Sequence, residues 1–133
     1  MLNKKQMGFT LIELLIVIVI LGLLMSLVAP TMFSKVDSTK VKTARMQMRM
    51  IETALETYRL DMGNYPKQLA ELLSSGGDGW DGPYLPKKVP DDPWGNAYNY
   101  ESPGPDNQPF LLRSLGKDGK LGGTDSALDI VHN

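Results

Sequence analysis

The sequence predicts an α+β fold: one long N-terminal α-helix, transmembrane in its first half, whose C-terminal half packs on a small antiparallel sheet of about three strands. Three observations predict it. Residues 9–29 form a nearly continuous apolar run, interrupted by Thr10, Glu13, Gly22 and Ser26. Residues 31–62 continue with apolar side chains at helical spacing along one side only. From Asp92 onward, short apolar segments alternate with clusters of Gly, Pro, Asp and Asn, the pattern of short strands and tight turns.

In chain order, Met1 to Gly8 is a leader that carries Lys4 and Lys5 and no acid, which assigns it to the cytoplasmic side by the positive-inside tendency. It is too short and too polar to begin a secretory signal, and no Ala-x-Ala-like site follows the apolar run. Gly8 is the small residue where charge gives way to apolar sequence. Cleavage after it makes Phe9 the new N-terminus, its amine about one helical turn from Glu13. From Phe9 to Ala29, a rise of about 1.5 Å per residue gives roughly 30 Å, the thickness of a bilayer core. A plain anchor does not explain Glu13, because a carboxylate within a lipid-facing helix is unfavourable by about 2.5–3.5 kcal/mol. Either it lies near enough to the headgroups to reach water, or it has a partner.

Pro30 removes a backbone donor and predicts a kink or loosening near Val28 to Pro30, either harmless or a point of local melting. Beyond it, Ala44, Met48, Ile51, Leu55, Tyr58 and Met62 recur every three or four residues and draw one apolar stripe that faces a core. The opposite face carries Lys35, Lys40, Lys42, Arg45, Arg49, Glu52, Glu56 and Arg59, as a solvated surface or as a contact between copies; Arg49 with Glu52 and Glu56 with Arg59 are favourable i, i+3 pairs. Gly63-Asn64-Tyr65-Pro66 ends the helix, so the pattern from Thr10 to Met62 is one helix.

Lys67 to Leu73 reads as a short helix, and Asp78 to Asp92 as an ordered loop pinned by Trp80, Tyr84 and Leu85. Asp92-Pro93-Trp94-Gly95 is a turn into a strand bearing Tyr98 and Tyr100, with Trp94 a core anchor or a ligand-stacking ring. Phe110 to Ser114 and Leu128 to Val131 are the next two strands. Between them, glycines at 116, 119, 122 and 123 and carboxylates at Asp118, Asp125 and Asp129 share one loop. Carboxylates and carbonyls without His or Cys are the donors Ca²⁺ prefers. The loop is not an EF-hand, since position 120 is Lys, and a plain glycine-rich turn with surface aspartates remains the alternative.

Composition narrows the function classes. The 133 residues include no cysteine, so no disulfide or thiolate site exists. A formal net charge of −1 with interspersed signs gives no reason to expect nucleic acid. The single histidine, His132, sits in the tail and is not expected to be a ligand. No Ser, His and Asp set, phosphate-binding glycine loop or rigid carboxylate pair is present, so an enzyme is not expected.

The segment KKQMGFTLIELLIVIVILGLL resembles the class III signal of type IV pilins and type II secretion pseudopilins. The resemblance implies cleavage after Gly8 by a prepilin peptidase that also N-methylates Phe9. It also implies pairing of Glu13 with the terminal amine of a neighbouring subunit during assembly. S-L-G-x-D-G-x-x-G-G followed by D-I, with Tyr65-Pro66 and Asp92-Pro93-Trp94-Gly95-x-x-Tyr98, is similar to the major-pseudopilin branch of that superfamily, which has a C-terminal calcium loop. Carried over, Asp118 is a Ca²⁺ ligand, Asp125 or Asp129 a second, Leu115 and Lys120 carbonyl donors, and Ser126 a hydroxyl donor. The chain departs from the family pattern at residues 124–128 and lacks the usual Gly-Asn-Trp ending, which leaves the downstream aspartate open.

The implied organisation is a cleaved leader (1–8), a transmembrane and filament-core helix (9–30) and a periplasmic globular domain (31–133). The implied function is the main structural subunit of a periplasmic filament that drives protein export across the outer membrane. Its implied partners are further copies of itself, the peptidase, an inner-membrane assembly platform and minor pseudopilins. Before assembly the subunit would cross the bacterial inner membrane once, N-terminus in the cytoplasm. The rivals are a type IV or minor pilin, and a membrane-anchored calcium-dependent binding domain that does not polymerise.

Overall fold

The computed structural model describes residues 7–74, 76–122 and 130–131. Helix α1 runs over Leu11–Met62, uninterrupted through Pro30. The loosening expected there leaves no break in the helix; nearby, the Thr31 hydroxyl donates to the Val28 carbonyl at 2.8 Å and Ser26 to Leu23 at 2.7 Å, each bonding back to its own helix. The chain divides into two compact units, residues up to Val36 and residues from Asp37 onward.

In the first unit, the large apolar side chains from Phe9 to Val36 are all exposed. With apolar groups on every side, this stretch has no interior face of its own and needs a surrounding apolar phase or neighbouring chains. By length and composition α1 carries a stretch able to cross a membrane.

The second unit has the core. Ala44, Met48, Ile51, Leu55 and Tyr58 are buried along the expected stripe, Ala54 joins them, and Met62 packs at the edge. They meet Leu72, Leu85, Tyr98 and Leu112, and full burial of each large aliphatic side chain contributes about 1.5–3 kcal/mol. The Tyr98 hydroxyl donates to Gln47 Oε1 at 2.5 Å and lies 3.4 Å from the Ala44 carbonyl, tying the residue before the first strand to α1.

The outer face of α1 is not uniformly charged. Alongside Arg45, Arg49 and Arg59, a second line of exposed residues holds Met46, Met50, Thr53, Thr57 and Leu60. Thr53 and Thr57 donate their hydroxyls to the carbonyls of Arg49 and Thr53 at 3.0 and 2.9 Å, so their polar atoms are engaged by the helix itself. Glu56 pairs with Arg59 at 3.4 Å and accepts from the Tyr65 hydroxyl at 2.5 Å.

Gly63, at φ +83°, donates to the Arg59 carbonyl at 2.8 Å and closes α1. The short helix expected at 67–73 is a 3₁₀ turn, Leu69–Leu72. Pro66 and the following loop leave too little chain for an α-helix, and the Glu71 carboxylate takes the Lys67 and Gln68 amides at 2.7 and 3.3 Å. The next loop is pinned by aromatics, as expected: Trp80 Nε1 donates to the Glu71 carbonyl at 3.1 Å, and the Tyr84 hydroxyl donates to Asp61 at 2.7 Å.

The sheet is antiparallel in the order β1-β2-β3: β1 Asn99–Glu101, β2 Leu111–Ser114 and β3 Ile130–Val131. Tyr100 faces Leu112 across β1 and β2, and Ser114 faces Ile130 across β2 and β3. In the β1–β2 connection, a Cβ on Gly104 would lie 2.7 Å from the Phe110 carbonyl carbon, so the backbones approach closer than a side chain allows. Of the strand expected at Leu128 to Val131, residues 128 and 129 lie outside the described residues.

Candidate functional site

Two stretches carry the predicted chemistry, one in each unit. At the N-terminus, Gly8 and Phe9 are exposed just ahead of α1. Thr10 is the residue before the first helical turn and Glu13 lies within that turn. The Thr10 amide donates to Glu13 Oε2 at 2.9 Å, and the Glu13 amide donates to Thr10 Oγ1 at 3.3 Å. This reciprocal pair is a capping box, and it satisfies two donors that a helix start otherwise leaves unpaired. The carboxylate also lies at the positive end of the helix dipole. Glu13 thus has a partner within its own chain. The signal was present as Thr-x-x-Glu ahead of an apolar run, and a reading centred on membrane burial passes over it. Phe9 and Leu14 flank the box and line one shallow apolar hollow with Ile16 and Val17.

At the C-terminal end of the second unit, β2 leads into a tight turn. Gly116 and Gly119 have φ of +72° and +65°, and the Gly119 amide donates to the Gly116 carbonyl at 3.3 Å. Only glycine adopts such angles without strain. Within the turn Asp118 is exposed, and its Oδ1 accepts from the Lys120 amide at 3.1 Å. Leu115 is half-buried and Lys120 exposed. Asp125, Ser126 and Asp129 lie outside the described residues. Among the described residues, no three His, Cys, Asp or Glu side chains gather as a metal cluster.

The residue that sequence reasoning missed is Asp92. It is 4% exposed and accepts three hydrogen bonds: from the Trp94 and Asn96 amides at 3.1 and 2.8 Å on Oδ1, and from Ser114 Oγ at 2.7 Å on Oδ2. Ser114 is fully buried, and its oxygen accepts from the Gly116 amide at 3.2 Å. The Asp-Pro-Trp-Gly turn and the glycine loop are therefore joined through a carboxylate and a hydroxyl. Burial and the nearby Asp92 carboxylate push the Tyr98 phenol up, and burial raises Tyr100 to about 12.

A family model for the prokaryotic N-terminal methylation motif matches residues 3–29, and one for the type II secretion system (T2SS), protein G, matches residues 31–133. The chain belongs to the type II secretion protein G family. Its protein G relatives include the type II secretion system core protein G of Pseudomonas aeruginosa, 44% identical over 98% of this chain and 96% of the relative. The Xanthomonas campestris protein of the same name is 39% identical over 96% of this chain and 90% of its own. The Escherichia coli protein G is 36% identical over 92% and 90%. The crystal structure of the major pseudopilin from the type 2 secretion system of enterohaemorrhagic Escherichia coli is similar at a TM-score of 0.58 and 28% identity, covering 74% of this chain and 90% of that one. Protein G is a structural pseudopilin, and the apolar N-terminal half of α1 fits a membrane-anchored subunit of the secretion system.

Proposed function

We propose that this chain is the major structural subunit of a type II secretion pseudopilus, with no catalytic role. It is made as a precursor, inserted in the inner membrane with Lys4 and Lys5 in the cytoplasm, cut after Gly8 and methylated on Phe9. It then polymerises into a periplasmic filament on an inner-membrane assembly platform, with minor pseudopilins. The observation that carries this reading is that the methylation motif and the family's globular domain share one continuous helix. The segment carrying the motif buries none of its large apolar side chains. In lipid those side chains are covered by acyl chains; in a filament they are covered by neighbouring helices, and the Glu13 carboxylate meets the Phe9 amine of a neighbour.

The same reading gives the loop after β2 a bound Ca²⁺. The donors at hand fit such an ion: Asp118 offers a carboxylate, the adjoining turn offers carbonyls, and the sequence from 114 to 130 contains no His or Cys. Asp118 and the carbonyls of Leu115 and Lys120 would hold it, with Asp125, Asp129 and Ser126 as the further donors that the family resemblance names. The ion supplies a multivalent charge that ties the loop to the sheet and stabilises the folded state alone. In a chain without cysteine it takes the part that a disulfide plays elsewhere.

Co-expression with a prepilin peptidase, followed by intact-mass measurement and filament recovery, tests the proposal. The expected product is a chain beginning at N-methylated Phe9 and recoverable as filaments; an unprocessed N-terminus in the presence of active peptidase refutes it.

A further inference from the structure

Asp92 poses a physical problem that the filament reading leaves unused. A carboxylate at 4% exposure is destabilising unless donors replace its water. Its three donors, the Trp94 and Asn96 amides and the Ser114 hydroxyl, are all neutral. An asparagine in its place would still accept from the two amides, so those bonds alone do not call for an acid. What the carboxylate imposes is polarity. It only accepts, so the single Ser114 proton must point to it, which turns a Ser114 lone pair toward the Gly116 amide at 3.2 Å.

That last bond sets the loop. A trans peptide carries its carbonyl opposite its N–H. Holding the Gly116 N–H inward on Ser114 therefore directs the Leu115 carbonyl away from Ser114. The Gly116 carbonyl in turn takes the Gly119 amide at 3.3 Å, which closes the turn around Asp118. Asn96, whose backbone is held by Asp92, packs its side chain against the same turn: a Cβ on Gly119 would lie 3.2 Å from Asn96 Nδ2.

We propose that Asp92 and Ser114 are positioning residues for the ion-binding loop: a buried carboxylate-to-hydroxyl-to-amide relay that presets Leu115 to Lys120 for the cation. The inference rests on the calcium reading of that loop. Neither residue touches the ion; they act through the Leu115–Gly116 peptide, so their loss weakens ion binding beyond any loss of fold.

The test uses the full chain in detergent micelles, with unfolding followed by Trp80 and Trp94 fluorescence in excess Ca²⁺ and in EGTA, and calcium affinity by titration. Ser114→Ala removes the relay and leaves Asp92 its two backbone donors; Asp92→Asn keeps those donors and loses the imposed polarity. Both are expected to weaken calcium affinity by about tenfold or more, the range typical of residues that orient metal ligands, and to shrink the midpoint difference between Ca²⁺ and EGTA. Leu72→Ala, in the core, is the control: it lowers both midpoints together and leaves affinity unchanged. Wild-type chain that binds Ca²⁺ alongside a Ser114→Ala variant of equal affinity overturns the positioning role alone. Wild-type chain with no calcium-dependent midpoint overturns the calcium reading and this inference together. Were Asp92→Asn to lose its fold in both buffers, Ser114→Ala still decides.

Discussion

Replacing Glu13 by glutamine and, separately, by alanine distinguishes the charge of this side chain from its hydrogen bond. In the monomer the carboxylate accepts the Thr10 amide at 2.9 Å. Glutamine keeps that acceptor, and capping boxes use it as readily as glutamate. Alanine loses it, at a cost of about 1 kcal/mol for a helix cap. The charge outweighs the cap, since a carboxylate in a lipid-facing helix is disfavoured by about 2.5–3.5 kcal/mol. Pairing with a neighbour's Phe9 amine on assembly would recover that energy. If it recovers only the lower figure, losing the charge reduces the equilibrium for adding a subunit roughly 60-fold, at 1.4 kcal/mol per factor of ten. Alanine also loses the cap, but the cap is made within one chain before assembly, so its loss does not enter that equilibrium and the same factor is expected. The assay is co-expression with the peptidase and the assembly apparatus, with mass measurement for cleavage after Gly8 and sheared filament counted per cell. Both variants are expected to insert and to be cleaved, and both should lose most filament. Glutamine at wild-type yield refutes the charge pairing and leaves the capping box as the role of Glu13.

Four further outcomes follow from the globular unit. Leu55→Ala, at a fully buried position on the core stripe, should destabilise by about 2–5 kcal/mol in chemical denaturation, and a change under 1 kcal/mol would contradict the packing. Gly104→Ala places a methyl 2.7 Å from the Phe110 carbonyl carbon and should lower the melting midpoint by several degrees through the β1–β2 connection, whereas Gly76→Ala, with open space around it, should not. The raised Tyr98 and Tyr100 phenols favour the neutral form in the folded state. Their stabilisation is present below an unfolded value of about 10 and lost as pH rises through the folded value, so denaturation midpoints should hold near pH 9 and fall between pH 10 and 12. Tyr100→Phe should flatten part of that fall. EGTA should lower the melting midpoint of the full chain in detergent, and readdition of Ca²⁺ but not of equal ionic strength should restore it.

Much of the fold was readable because its signals are local. The stripe from Ala44 to Tyr58 lies on one helix, so its spacing alone announces which face is buried, and Gly63 announces the stop. Ala54 escaped because alanine carries little hydrophobic signal, and its burial follows from the width of the contact. The charges on the outer face of α1 are legible one by one, but they do not cover it: an uncharged line through Met46, Met50, Thr53, Thr57 and Leu60 runs beside them. The three leucines at short spacing announce a short helix after Pro66 but not its geometry, which is 3₁₀ at Leu69–Leu72.

The sequence by itself determined the membrane-length apolar run, the Gly8-Phe9 junction with Glu13 behind it, and the long helix with its buried stripe, because each depends on residues within a few turns of one another. Tertiary structure alone decided the role of Asp92. It lies 22 positions from Ser114, and whether a carboxylate in a turn is solvated or buried depends on which distant segment folds over it. Here the end of β2 does so, and a residue that reads as a surface turn becomes the link between the core and the C-terminal loop.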